Sequence, residues 1–167
     1  ILTSTSSIIH VCACCILQTK SVEGVHVATL RIRDDVDNVG LAVNDDATLM
    51  AVSNGAIKYS AVPSEDGNNI IVPSNTVTLY RLPSGEELAV FGRKGSEDGQ
   101  FDGPRGLCFT VDGTLLVADR GNDRVVDTTI QGKFRRFIGK DFLSDLVDVA
   151  ANAEVIVILE RGFECVL

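Results

Sequence analysis

Between Phe91 and Gly139 the chain carries four short strand patterns set apart by turn signals, and this punctuation limits the possible fold more than any other feature. Asp112-Gly113 lies between two apolar runs. Asp-Gly supplies the positive φ angles of a type I′ hairpin, so residues 106–110 and 114–118 are expected to pair antiparallel. Leu115, Leu116, Val117 and Ala118 are apolar without alternation, the pattern of a strand covered on both faces rather than solvated on one. Asp119-Arg120-Gly121-Asn122 and Gln131-Gly132 mark two further turns. Four strands and three turns make a small antiparallel sheet that must be packed between neighbours.

The pattern recurs. Ile156 to Gly162 falls on Leu115 to Gly121 at an offset of 41, and Gly40 to Val43 with Thr48 to Val52 falls on Gly106 to Phe109 with Thr114 to Ala118 at an offset of 66. Asn75 to Gly92 aligns instead at 47, which places about 19 extra residues near 55–74. They form either a long loop between the second and third strands, the preferred reading, or a degenerate hairpin using Asp66-Gly67 and Ile70-Ile71-Val72. Self-similarity at about 40 to 45 residues with four strands per unit is the signature of a β-propeller. The expected fold is therefore all-β: an arc of about three four-stranded antiparallel blades. Its parts are a poorly defined segment 1–39 holding remnant strands of a preceding blade, a blade at 40–92 with its insertion, a blade at 93–139, and a partial blade at 140–167. Closed propellers use about four to eight blades, and the chain opens on Ile1 rather than Met, so an incomplete ring is expected. Its open faces should self-associate.

The central blade resembles an NHL repeat. The resemblance rests on Gly99-Gln100-Phe101, Gly103-Pro104-Arg105-Gly106, Asp112-Gly113, Val117-Ala118-Asp119, Asn122-Asp123-Arg124 and Ile138-Gly139. It implies a propeller whose face holds protein partners, as in many relatives. In some tripartite-motif relatives that face binds RNA. Peptide-amidating lyases, which are similar propellers, hold a metal through histidines near the central channel. His10 and His26 are the only histidines and both lie outside the repeats, so the lyase chemistry does not carry over.

Composition narrows function only by exclusion. With 45% hydrophobic residues, 15 glycines and 4 prolines the chain can bury a core. A net charge of −8, no Trp and few aromatics argue against nucleic acid as the main partner. Residues 92–140 hold nine Lys or Arg against seven Asp or Glu, with Lys133, Arg135, Arg136 and Lys140 clustered. This cluster reads first as a solvated edge strand whose charges block pairing; the alternative is contact with a phosphate or an acidic peptide. The apolar run Ile8 to Leu17 is too short to span a bilayer and lacks a signal peptide's basic flank, so it reads as a truncated strand with no membrane role. Val25 to Arg33 reads as another strand.

Cys12, Cys14 and Cys15 with His10 lack the paired spacing of zinc sites. Cys108 falls on a strand expected to be interior, where thiols act as small hydrophobes. An odd cysteine count without a framework fits a reducing, cytoplasmic compartment. Asp35-Val36-Asp37-Asn38-Val39-Gly40 mimics a calcium loop, but Val39 stands at a ligand position. No metal or other cofactor is expected.

Arg105, Arg120, Arg135 and Arg136 are the candidate binding residues, because loops between blades present side chains from a rigid scaffold. Asp112, Gly113, Asp119, Gly121 and Arg124 are expected to hold turns, with Asp119 and Arg124 bonding across theirs. No nucleophile elbow, metal-binding His pair or phosphate loop is present. The sequence therefore predicts a non-catalytic propeller that scaffolds a protein or peptide partner. An RNA-binding face, or a fragment of a propeller enzyme or sensor, are the alternatives.

Overall fold

The computed structural model describes residues 40–55 and 74–161 down to their side chains. Elsewhere it describes five strands: β1 (Ser7–Val11), β2 (Ile16–Ser21), β3 (His26–Arg31), β6 (Ala61–Pro63) and β7 (Asn69–Ile71). The chain divides into two compact units, Ile1–Val36 and Asp37–Leu167.

The first unit is an antiparallel sheet in the order β1-β2-β3. The apolar run Ile8 to Leu17, read from the sequence as one strand, is divided between β1 and β2, which pair from Ser7 opposite Ser21 to Val11 opposite Leu17. Strands average about five to six residues, so a ten-residue run holds a reversal more readily than one long strand. Cys12, Cys14 and Cys15, the stretch 35–39, Asp66-Gly67 and Cys165 lie outside the described residues.

The second unit contains four antiparallel sheets, three of which form a propeller arc. The first has the order β4 (Leu41–Val43), β5 (Leu49–Asn54), β8 (Thr76–Arg81), β9 (Glu86–Phe91). β5 pairs directly with β8, Leu49 opposite Arg81 to Asn54 opposite Thr76, and β6 and β7 between them pair in a two-stranded sheet of their own. The second sheet runs β10 (Pro104–Phe109), β11 (Thr114–Asp119), β12 (Arg124–Thr129), β13 (Phe134–Ile138), and the third pairs β14 (Leu146–Ala151) with β15 (Ile156–Glu160).

The uniformly apolar strand β11 explains how the sheets stack. Leu115 and Val117 are buried with Ala51, Val77, Leu79 and Phe101 on the side of the first sheet. Leu116 and Ala118 are buried with Val125, Leu146 and Val149 on the side of the third. A strand clamped between two layers has no solvent face, hence no alternation. Each fully buried Leu or Val contributes about 1.5–3 kcal/mol. Cys108 is half-buried on β10, which is the edge strand of its own sheet and not an interior one; it is covered by β4 and β5 on one side and β14 on the other.

Close backbone approach decides where glycine is required. A Cβ on Gly40 would collide with the Arg105 carbonyl, and one on Gly106 with Asp148, so these two glycines set how closely the sheets approach one another at β10. The β10–β11 turn differs from the sequence expectation. Gly113 has φ 73° while Asp112 is not at positive φ, and the Gly113 N–H donates to the Thr110 carbonyl at 3.0 Å. This is a turn closed by one left-handed glycine rather than a type I′ pair. Thr110 and Thr114, whose hydroxyls meet at 2.9 Å, extend the loop to three residues, and three-residue hairpins take this form.

Candidate functional site

The site is built around the last rung of the β11–β12 ladder, where Asp119 stands opposite Arg124. Both side chains are essentially inaccessible, 0% and 2% exposed, and Arg124 Nε donates to Asp119 Oδ2 at 2.9 Å. The same carboxylate accepts from Asn122 Nδ2 at 2.8 Å and, through Oδ1, from the Asp102 N–H at 2.6 Å. Burial raises the Asp119 carboxyl above its ordinary value, while the bonds from Asp102, Asn122 and Arg124 pull against it.

Arg124 also reaches beyond its partner. Its Nη1 donates to the Ser96 carbonyl at 2.6 Å and its Nη2 to the Gln100 carbonyl at 3.1 Å. Its guanidinium lies 3.8 Å from the centre of the Phe137 ring, a cation–π contact. Asn122 Nδ2 bonds the Gly95 carbonyl at 2.8 Å. Phe101, 1% exposed, anchors the loop's far end in the core. A loop with little core of its own is thus tied by its carbonyls to one buried arginine and one asparagine, and its conformation is fixed.

Between β11 and β12 the chain makes the short 3₁₀ turn η1 (Arg120–Asn122). Gly121 donates to the Asp102 carbonyl at 2.7 Å, and a Cβ there would stand 2.8 Å from Asp102 Cγ and from its carbonyl oxygen. Its φ is not positive. Close approach, rather than a left-handed backbone angle, is what requires glycine at this position.

This fixed frame surrounds a cavity of about 450 Å³ lined by Asp102, Arg105, Arg120, Asp123 and Asp145, with Gly55, Gly103, Gly121 and Ser144. The segment carrying Arg105 is held to the first sheet: the Gly103 N–H bonds Asn75 Oδ1 at 2.7 Å, and the Ser53 hydroxyl donates to the Arg105 carbonyl at 2.6 Å. Arg120 Nε donates to Asp145 Oδ1 at 2.5 Å, and Arg161 Nε stands 4.0 Å from Asp145 Oδ2. The bond from Arg120, then the charges of Arg120, Arg161 and Arg105, hold the Asp145 carboxyl below its ordinary value. Burial, with the charges of Arg120 and Arg161, lowers Arg105.

The four candidate arginines therefore divide. Arg105 and Arg120 meet at the cavity. Arg135 and Arg136 lie on β13 and both pair with Asp127, at 3.3 Å and 3.0 Å. A register shift beside Asp127 on β12 lets two successive arginines reach one carboxylate that is 2% exposed. Asp112 and Gly113 sit in the β10–β11 hairpin, which is not part of this cavity. Sequence reading missed Arg161, although the offset of 41 lays it on Arg120. It also missed Asp145, which carries no motif and is positioned by a left-handed turn, φ 43°. Among the described residues no group of three His, Cys, Asp or Glu is placed to hold a metal ion, and no helix is long and apolar enough to cross a membrane.

Comparison with known proteins places this geometry. The family model described as NHL repeat matches residues 101–126, from the anchored Phe101 through η1 into β12. The RING finger protein nhl-1 of Caenorhabditis elegans is 44% identical over 55 residues, 33% of this chain and 6% of that protein. Protein lin-41 of the same organism is 31% identical over 105 residues, 53% of this chain and 9% of that protein. The chain thus covers less than a tenth of either relative. The matched residues form the Asp119–Arg124 clamp and the strand held between two layers, so the chain carries an NHL repeat over residues 101–126, and the sheets of its second unit are those of a partial β-propeller.

Proposed function

We propose that this chain is a non-catalytic interaction scaffold whose NHL blade presents Arg105 and Arg120 to a protein or peptide partner. The observation that carries this reading is the convergence of those two arginines on one cavity whose walls are hydrogen-bonded into place before any ligand arrives. A backbone held in advance loses little freedom on binding, which favours recognition. The name of nhl-1 makes that protein a RING finger protein; no zinc-finger spacing occurs in this sequence, so ligase activity is not part of the proposal. RNA binding is less well supported, because Arg135 and Arg136 are engaged by Asp127 and the chain is acidic.

The test is affinity capture on the immobilised full chain with quantitative mass spectrometry, with and without nuclease. Proteins retained by the wild type and by Arg135→Glu/Arg136→Glu should be lost with Arg105→Glu/Arg120→Glu. Equal retention by all three chains would sink the proposal. Retention that nuclease abolishes would replace it with nucleic-acid binding.

A further inference from the structure

Building on that reading, we propose that the Arg105–Arg120 cavity is a receptor for a carboxylate side chain of the partner, and that Asp145 occupies it as a resident, displaceable competitor. The chain supplies its own example of the interaction: the Asp145 carboxylate sits against Arg120 and within 4.0 Å of Arg161, and Arg105 is close enough to contribute to its charge state. Two guanidinium groups, Arg120 and Arg161, thus reach one carboxylate at a cavity that Arg105 also lines. Guanidinium offers a fork of donors that matches a carboxylate's two oxygens.

The two sides of this arrangement differ in firmness. Arg105 is carried by β10, fastened to the first sheet through Asn75 and Ser53. Asp145 lies on a surface turn, one-third exposed, held by its N–H to Asp123 Oδ1 at 2.8 Å and by the Arg161 N–H to its carbonyl at 3.1 Å. Neither bond involves its carboxylate. That group can therefore leave Arg120 without undoing the turn, while the backbone that carries Arg105 stays in place.

Size and sign restrict the occupant. A cavity of about 450 Å³ is in the lower part of the range for small-ligand sites, so it takes a side chain with its flanking backbone rather than a folded surface. Asp102 and Asp123 line it beside Asp145. A polyanion with closely repeated charges would bring several of them against these carboxylates, whereas one Glu or Asp between uncharged neighbours brings a single charge, set against the arginines.

The experiment is a nitrogen-15 NMR titration of the full chain, read at the arginine Nε–Hε resonances. The ligand is an end-blocked peptide Gly-Ser-Leu-Glu-Leu-Ser-Gly, with its Gln counterpart as control and a uridine hexanucleotide as competing class. The Glu peptide should shift Arg105 and Arg120 saturably and the Gln peptide should not. Arg120→Gln should abolish the shift at Arg105. Asp145→Asn keeps the backbone bonds and suits a left-handed residue, so it should tighten the Glu peptide by about tenfold, the scale of one charge-assisted hydrogen bond. Equal response to both peptides, or no response in the Asp145→Asn chain, overturns the proposal. So does a hexanucleotide that shifts the same resonances at lower concentration. If the peptide fails while Arg105→Glu/Arg120→Glu still abolishes protein capture, only this inference falls; if capture is also unchanged, the interaction reading falls with it.

Discussion

Replacing Arg124 with Met isolates the clamp. Met keeps most of the aliphatic volume, so little cavity energy is involved and the loss is electrostatic. The Asp119 carboxylate, 0% exposed, would keep its bonds from the Asp102 N–H and Asn122 but lose its only ion-pair partner among the described residues. Breaking a buried pair on one side costs about 3–5 kcal/mol, a large share of the roughly 5–15 kcal/mol that hold a domain folded. The carbonyls of Ser96 and Gln100 lose donors too, but both lie in a loop that water can reach, which limits that cost. The double-mutant cycle with Asp119→Asn should return a coupling of about 1–3 kcal/mol, read from urea melts. The deficit of Arg124→Met should also shrink on acidification. Burial already raises the Asp119 carboxyl, and without Arg124 it rises further, so the folded state binds its proton more tightly than the unfolded state and gains stability as pH falls through the folded value. A variant within about 0.5 kcal/mol of wild type, the range of ordinary surface substitutions, would show that the buried pair does not hold the blade.

Leu116 and Val157 are counterparts in successive sheets, 1% and 60% exposed. Leu116→Asp should cost about 3–5 kcal/mol, as burial of an unpaired charge does, whereas Val157→Asp should leave the melt nearly unchanged and reduce self-association measured by light scattering. Gly121→Val should cost about 1–3 kcal/mol through overpacking against Asp102, and a neutral result in a thermal melt would refute the close approach. For Asp145, whose carboxyl is held below the 3.8 of the free group by Arg120, the contribution to stability is complete above that value and is lost as pH falls through the lower folded value. The melting-temperature gap between wild type and Asp145→Asn should therefore narrow in that acidic window; a gap independent of pH would contradict the Arg120–Asp145 bond.

The blade was legible in the sequence because its causes are local. The unbroken apolar run 115–118, the turn residues around it and the repeat at 41 all act within a few residues of one another. The two arginines that share the cavity were singled out, but not as a pair, because nothing in the linear order relates position 105 to 120; their meeting depends on how β10 and η1 stand once the sheet has formed. Asp145 was invisible for a similar reason. Arg124 read as a turn residue, and its burial follows from a loop that donates carbonyls to it from 24 to 28 residues upstream. Chain position also concealed why Gly121 is needed, since Asp102 lies far from it in sequence. For Asp112-Gly113 the local dipeptide indicated a hairpin correctly, but the paired threonines beside it selected a longer loop.

The central claim is that one buried arginine and its partners make the binding face rigid before a ligand arrives. Hydrogen–deuterium exchange tests this directly at the loop amides of Gly95, Phe101, Asp102, Gly103 and Gly121, each of which donates to a named acceptor. If the clamp holds the loop, these amides exchange as slowly as those of β11 in wild type and become fast in Arg124→Met while β11 remains protected. Rapid exchange of the loop amides in the wild type, with β11 protected, would contradict it.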